Sequence, residues 1–385
     1  SSNTEQIGSF IKTLREKRGL SQEEFAKQLG TSQSAVARME SGKQNFTTEL
    51  LEKVSGVLEH KLVSINNTID FEIHGGKKLS GSIRTNYSKN GSVGLLCAAL
   101  LNKGKTILHG IARIEEVYRV IEILESIGVK ITWTNGNSLE FVPPKKFSMR
   151  TLNRESAIKT RTIIMFAGPL AHHLEKFYIP HAQGCTLGKR SIAAHRYALE
   201  SLGITIDVTQ KEYFITRGAL KPAEIVMYEA GDTAIENVLM GAALIPGKTV
   251  IKFASGNYMV QEICFFLEKC GVKVEGIGTS TITVHGVAEI NDTIEYHNSE
   301  DPIESMMFIS AAIATDSTLT ITHCPIDFLE LELYKLRIMG QKYKIGKRYL
   351  SANGRTHLAD VTIYPSKLIA LEDKIHANPY PGINM

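Results

Sequence analysis

The chain carries two hydrophobic rhythms in succession. Up to residue 58 the apolar positions recur at three and four. Ile7, Phe10, Ile11 and Leu14 make one helix face, and Leu50, Leu51, Val54 and Leu58 make another. Between them Ser21-Gln22-Glu23-Glu24 forms an S-x-x-E capping box ahead of Phe25 and Leu29, with Gly30 as the stop. Ser32 opens a third helix that turns Val36 and Met39 inward. Four short helices are therefore predicted, as a compact all-α head over residues 1–65. His60 to Asp70 lacks strong periodicity and reads as the connector to a body over residues 66–385.

In the body, helical and strand periods alternate, and the alternation repeats. Similar helices end at Gly128, Gly203, Gly271 and Gly340, a period of about 70 residues. Each of the four units opens with a helix apolar nearly all round, at residues 95–101, 163–170, 238–244 and 307–314. A β-rich run follows in most units (106–108, 249–253), then an amphipathic helix ending at the repeat glycine. A short strand comes next (129–131, 272–274), and 359–363 closes the fourth unit as a strand. A helix apolar on every side has to be buried, so sheets are expected around each first helix. The expected fold class is α/β.

Composition narrows the function classes. Apolar and charged contents of 43% and 22% are those of a soluble globular protein. A net charge of +4 is too small to imply a nucleic-acid or membrane partner by itself. No apolar run reaches spanning length, and the polar start is no signal peptide. Cys97, Cys185, Cys264, Cys270 and Cys324 show no C-x-x-C spacing, which points to a reduced, cytoplasmic protein. All but Cys185 are expected to be core fillers. The chain lacks an initiator methionine and stops abruptly at Met385, so a fragment is expected.

Residues 15–43, "REKRGLSQEEFAKQLGTSQSAVARMESGK", resemble the phage-repressor class of helix-turn-helix domains. The resemblance implies a third helix in the major groove, with Gln22 on a phosphate and Gln33, Ser34 and Arg38 facing the bases. It also implies an Arg15–Glu40 pair. One such head contacts a half-site, so a homodimer on DNA is the expectation. Nine Lys/Arg against eight Asp/Glu in residues 1–65 make no basic footprint, which leaves a helical protein-interaction module as the alternative.

Two stretches of the body carry chemistry. Lys89-Asn90 places a cation and an amide just ahead of an apolar helix. Gly184-Cys185-Thr186-Leu187-Gly188-Lys189-Arg190 sets a thiol on a glycine-hinged loop, five residues before an arginine. Together they suggest a pocket for an anionic substrate, with the thiol as acid or nucleophile. Asp301, before Pro302, is expected to cap a helix. His172-His173 lacks H-x-x-x-H spacing, so no metal site is expected, and no cofactor either.

These stretches, and above all residues 168–190 "GPLAHHLEKFYIPHAQGCTLGKR", resemble the enolpyruvyl transferases, on the branch that uses UDP-N-acetylglucosamine. The likeness runs from about residue 72 to the end of the chain. It implies an inside-out α/β barrel of repeated units, six in two domains, of which four are present here. An open half-domain would expose apolar surface. By resemblance Cys185 is the proton donor to phosphoenolpyruvate and can attach to it covalently. Lys89 and Arg190 hold phosphoenolpyruvate, while Asn90 and Arg161 lie near the sugar nucleotide.

Three departures stand against this pattern. Arg190-Ser191-Ile192-Ala193 lacks the acid or amide used toward uridine, and Glu229 replaces a lysine. Ala377-Asn378-Pro379-Tyr380-Pro381-Gly382 resembles the approach to the family's catalytic aspartate, which lies beyond Met385. Little turnover is expected of the chain as it stands. The main expectation is enolpyruvyl transfer in peptidoglycan precursor synthesis, fused to a DNA-binding head. The alternative is a transcription regulator whose body senses the sugar nucleotide or phosphoenolpyruvate without catalysis. The branch acting on shikimate 3-phosphate has no counterpart of the cysteine loop and ranks last.

Overall fold

The computed structural model describes residues 3–44, 46–58, 75–182 and 191–383. By its internal contacts the chain divides into two units, residues 1–75 and 76–385. The predicted connector falls outside the described residues over 59–74.

The first unit holds α1 (Asn3–Lys17), α2 (Gln22–Leu29), α3 (Gln33–Glu40) and α4 (Thr48–Val57). Each predicted boundary signal is in use. Ser21 and Glu24 form the reciprocal capping box, Gly30 ends α2 in the left-handed conformation, and Ser32 caps α3. Ile11, Phe25, Val36, Met39, Val54 and Leu58 close the core. Phe10 departs from the predicted face and stays 48% exposed. Ile7, Ile11 and Leu14 already fill the stripe that α1 turns inward, and Phe10 sits at its edge.

In the second unit β1 (Ser82–Arg84) precedes the first repeat: α5 (Lys89–Ala98), β2 (Thr106–His109), α6 (Glu115–Ser126), β3 (Lys130–Asn135) and β4 (Ser138–Val142). The second repeat has α7 (Arg154–Lys159), a 3-10 turn (Arg161–Phe166) running into α8 (Ala167–Leu170), then β5 (Lys176–Pro180), α9 (Ala193–Ser201), β6 (Ile204–Val208) and β7 (Glu212–Arg217). The third has β8 (Glu224–Val226), α10 (Asp232–Ala243), β9 (Gly247–Lys252), α11 (Tyr258–Lys269), β10 (Lys273–Glu275) and β11 (Thr281–Gly286). The fourth has β12 (Ile294–His297), α12 (Pro302–Ala314), β13 (Leu319–Pro325), α13 (Glu330–Ile338), β14 (Tyr343–Ile345), β15 (Tyr349–Leu350) and β16 (His357–Ile363). All four repeat glycines have positive φ, between 87° and 109°, which explains why glycine recurs there.

Each repeat contributes a sheet. Three of them, β12-β2-β4-β3, β5-β7-β6 and β10-β11-β9-β8, surround one continuous core. Residues 91–98 of α5 and 234–243 of α10 are buried without exception, as apolar all-round helices require. The fourth sheet, β1-β13-β16-β14 with β15 on β16, has its own core.

The fourth first helix is the exception to the expected burial. Only Pro302, Ser305, Ile309 and Ala312 of α12 are buried, while Ile303 and Met307 are 42% and 54% exposed. This helix packs chiefly on β13 and β16 of its own sheet, whereas α5 and α10 both pack against α11.

Strand exchange ties the fourth repeat to the others. β12 runs parallel to β2, and β1 runs parallel to β13. The two crossing segments lie side by side. Ser88 N–H donates to Ser299 O at 2.8 Å, and Asp301 N–H donates to Asn86 O at 2.9 Å.

Candidate functional site

Beside this double crossing, the first turns of α5, α6, α9, α10, α11 and α12 are joined to one another by their own side chains. Ser88 caps α5, so Lys89 occupies its first position. The Lys89 Nζ lies 2.5 Å from Glu116 at the start of α6, and Thr162 of the 3-10 turn donates to the other Glu116 oxygen at 3.4 Å. Asn90 donates to the Tyr258 hydroxyl at the start of α11 (2.8 Å), and Asn257 donates to Asp232 at the start of α10 (2.9 Å).

Asp301 joins the crossing segments. One of its oxygens accepts Lys89 N–H at 3.1 Å, and the other accepts Ile303 and Glu304 N–H at 2.8 and 3.4 Å. It caps α12, as Pro302 behind it predicts. Burial pushes its pKa up despite these three bonds. The Tyr258 hydroxyl is also raised, by burial first and then by the charge of Asp301.

His195, in the first turn of α9, is buried and pushed down to about 4 by desolvation and by the charge of Arg161. Asn237 Nδ2 donates to its Nδ1 at 3.0 Å, which makes the ring a neutral acceptor there. The same Asn237 donates to Ile164 O and accepts Gly168 N–H, tying α10 to α8. Arg161 is exposed at the lip of this group.

Helix starts carry unpaired N–H groups and partial positive charge, which favour anions. Lys89 and Arg161 add full charges, and Glu116, Asp232 and Asp301 are the anions now held by the helix starts. The arrangement suits a ligand bearing phosphate or carboxylate.

Lys89, Asn90 and Arg161 thus belong to one cluster. Cys185 and Arg190 lie outside the described residues; the chain leaves β5 at Pro180 and enters α9 at Ala193, two residues before His195. Glu116, His195 and Tyr258 escaped sequence reasoning. Glu116 looks like an ordinary acidic residue in a first helical turn, and the other two look like core aromatics. Cys97, Cys264 and Cys324 are buried and Cys270 half-buried, all with thiols raised by burial, Cys270 to about 12. His172 and His173 donate to the Gly241 and Leu100 carbonyls, and burial lowers both rings. Of two cavities of the body, of about 340 and 330 Å³, the first lies away from the cluster and the second shares only Ile303 with it.

In the head, Arg15 and Glu40 form the expected pair, with Nε and Nη2 on the two carboxylate oxygens at 2.5 and 3.1 Å, both side chains nearly buried. The Gln22 amide donates to the same carboxylate at 2.9 Å. Gln33, Ser34 and Arg38 are all exposed on α3. No helix among the described residues is long and apolar enough to cross a membrane.

Comparison with known proteins places both units. Residues 73–377 match the family model described as EPSP synthase (3-phosphoshikimate 1-carboxyvinyltransferase), and residues 11–61 match a helix-turn-helix model. A UDP-N-acetylglucosamine 1-carboxyvinyltransferase of Bradyrhizobium diazoefficiens is 32% identical, over 68% of this chain and 60% of its own length. UDP-N-acetylglucosamine 1-carboxyvinyltransferase 2 of Caldanaerobacter subterraneus subsp. tengcongensis is 30% identical, over 81% of this chain and 72% of its own length. The chain thus spans about three fifths of the first of these relatives.

Among solved structures, the enolpyruvyl transferase NikO from Streptomyces tendae superposes with a TM-score of 0.64 at 21% identity, over 76% of this chain and 67% of that one. An EPSP synthase from Acinetobacter baumannii gives 0.58 at 18% identity, over 76% and 66%. These last two likenesses establish the inside-out α/β fold. The chain belongs to the EPSP synthase family of enolpyruvyl transferases and carries a helix-turn-helix domain ahead of its transferase body.

Proposed function

We propose that the body, residues 66–385, takes phosphoenolpyruvate and UDP-N-acetylglucosamine where its helix starts meet. The reaction is enolpyruvyl transfer in peptidoglycan precursor synthesis, in the cytoplasm. The observation that carries this reading is Lys89, held at the first position of α5 and paired, among the described residues, only with the partly exposed Glu116 carboxylate. An arriving phosphate competes with Glu116 for Lys89 and meets the partial positive charge of the helix starts as well.

In this reading Lys89 and Arg190 hold phosphoenolpyruvate, and Asn90 and Arg161 hold the sugar nucleotide. Cys185 gives its proton to the methylene carbon while a sugar hydroxyl, releasing its proton to water, attacks the neighbouring carbon; phosphate then leaves from the tetrahedral intermediate as a methyl proton returns to the thiolate and restores the C=C bond. Residues 1–65 bind DNA as a homodimer, with Gln33, Ser34 and Arg38 at the bases and Gln22 near the backbone. The Gln22–Glu40 bond fixes the start of α2 against the end of α3.

Mass spectrometry after incubation with phosphoenolpyruvate and UDP-N-acetylglucosamine tests the chemistry. An adduct is expected on the peptide holding Cys185 and is lost in Cys185→Ala; an unmodified peptide contradicts the role. For the head, Gln33→Ala weakens binding to a selected DNA site by about 1–3 kcal/mol. Failure of the wild type to select any sequence contradicts DNA binding.

The head and the departures at 191–193 and Glu229 favour a second reading, in which the body senses the same ligands without catalysis. Ligand-dependent DNA affinity without a Cys185 adduct is its signature.

A further inference from the structure

We propose that His109, Glu295 and His297 form a divalent transition-metal site of the zinc type on the face of the first sheet. The placement follows from register. β2 and β12 are parallel neighbours with His109 opposite His297, and Glu295 is two residues before His297. Alternation along a strand puts all three side chains on one face. Their ligand atoms lie within 4.8 Å of one another, and the two imidazole rings stack with centroids 4.3 Å apart. Parallel pairing of residues 188 positions apart brings them together, so no short sequence motif announces the site.

The surroundings suit coordination. His109 Nε2 lies 2.9 Å from Glu295 Oε1, and its Nδ1 lies 2.8 Å from the Ser138 hydroxyl on β4. A hydroxyl both donates and accepts, so Ser138 can accept Nδ1–H and leave the Nε2 lone pair for a metal. Both rings are partly shielded by the sheet. Two imidazoles and a carboxylate are the donors that zinc takes in three-ligand sites, with a fourth position open.

Glu295 and His297 also line the 340 Å³ cavity, together with Glu268, Asn353 and Arg355. That cavity is a cleft partly open to solvent, and the Glu295 side chain is exposed in it. Coordination replaces the Glu295–His109 hydrogen bond with two bonds to one ion, and no redox step is involved.

The test is calorimetric titration of the untagged chain with zinc alone, followed by cobalt for its visible spectrum. One equivalent is expected, with a cobalt spectrum typical of nitrogen and oxygen ligands. His109→Ala and His297→Ala are each expected to weaken binding at least tenfold, and Ser138→Ala by about tenfold. Glu295→Gln, at an exposed position that keeps the fold, also weakens it. His285→Ala, whose ring pairs with Glu275 elsewhere, leaves binding unchanged. Absence of the high-affinity equivalent in the wild type overturns the proposal. So does its retention in either histidine variant, or in Glu295→Gln, with the apo melting temperature unchanged.

Discussion

At the scale of single residues, the body keeps ionisable groups in places where burial decides their charge. Glu262 is the clearest. It is buried, accepts the Tyr296 hydroxyl at 2.7 Å, and is pushed up to about 7 by desolvation. Between 4.5, its ordinary value, and 7 the folded state holds a proton that the unfolded state has lost. Stability therefore falls as pH rises through that window, by about 3 kcal/mol for this group. Glu262→Gln is expected to remove the slope. Relative to the wild type, its unfolding free energy in urea rises by about that amount between pH 5 and 8. His172 and His195, both lowered to about 4, act in the other direction; their contribution is present above 6.5 and is lost toward 4. None of these environments is legible in sequence. Glu262 sits in an apolar helix, and its partner Tyr296 is on a strand of the next repeat.

At the scale of elements, the sequence was most informative where local chemistry rules. The capping box at Ser21, the caps at Ser32 and Asp301, and the repeat glycines all act within a few residues, and each is where the pattern predicts it. The glycines differ in what surrounds them. A Cβ at Gly271 meets nothing within 4 Å, whereas one at Gly203 meets the Ala219 carbonyl oxygen at 2.3 Å. Gly271→Ala is expected to cost about 1–2 kcal/mol for its positive φ alone, and Gly203→Ala more, measured by chemical denaturation. Equal losses would mean that the Ala219 segment yields freely.

Apolar pattern misled at α12, because it records what a helix can bury and not which neighbours it meets. Met307→Ser on the exposed face is expected to change stability by no more than about 0.5 kcal/mol. Leu239→Ala in the wholly buried α10 costs about 2–5 kcal/mol. A large loss at Met307 would show that α12 is covered in solution.

At the scale of the whole molecule, periodicity revealed four units but not how they exchange strands. β12 serves the sheet of the first repeat and β1 serves the sheet of the fourth, through parallel pairings across 188 and 238 positions. These exchanges bring Asp301 onto the start of α5 and create both the crossing and the cluster around it. Lys89 and Asn90 were recognisable from their place ahead of an apolar helix. Glu116, which holds Lys89, was not, because nothing local to α6 points to α5.

We propose that these helix starts, with Lys89 and Arg161, bind an anionic enolpyruvyl-transfer substrate. Calorimetric titration with UDP-N-acetylglucosamine, with and without phosphoenolpyruvate, tests it most directly. Saturable binding is predicted, weakened at least tenfold by Lys89→Ala and by Arg161→Ala, with both variants melting as the wild type does. No binding by the wild type, or undiminished binding by both variants, would contradict the account.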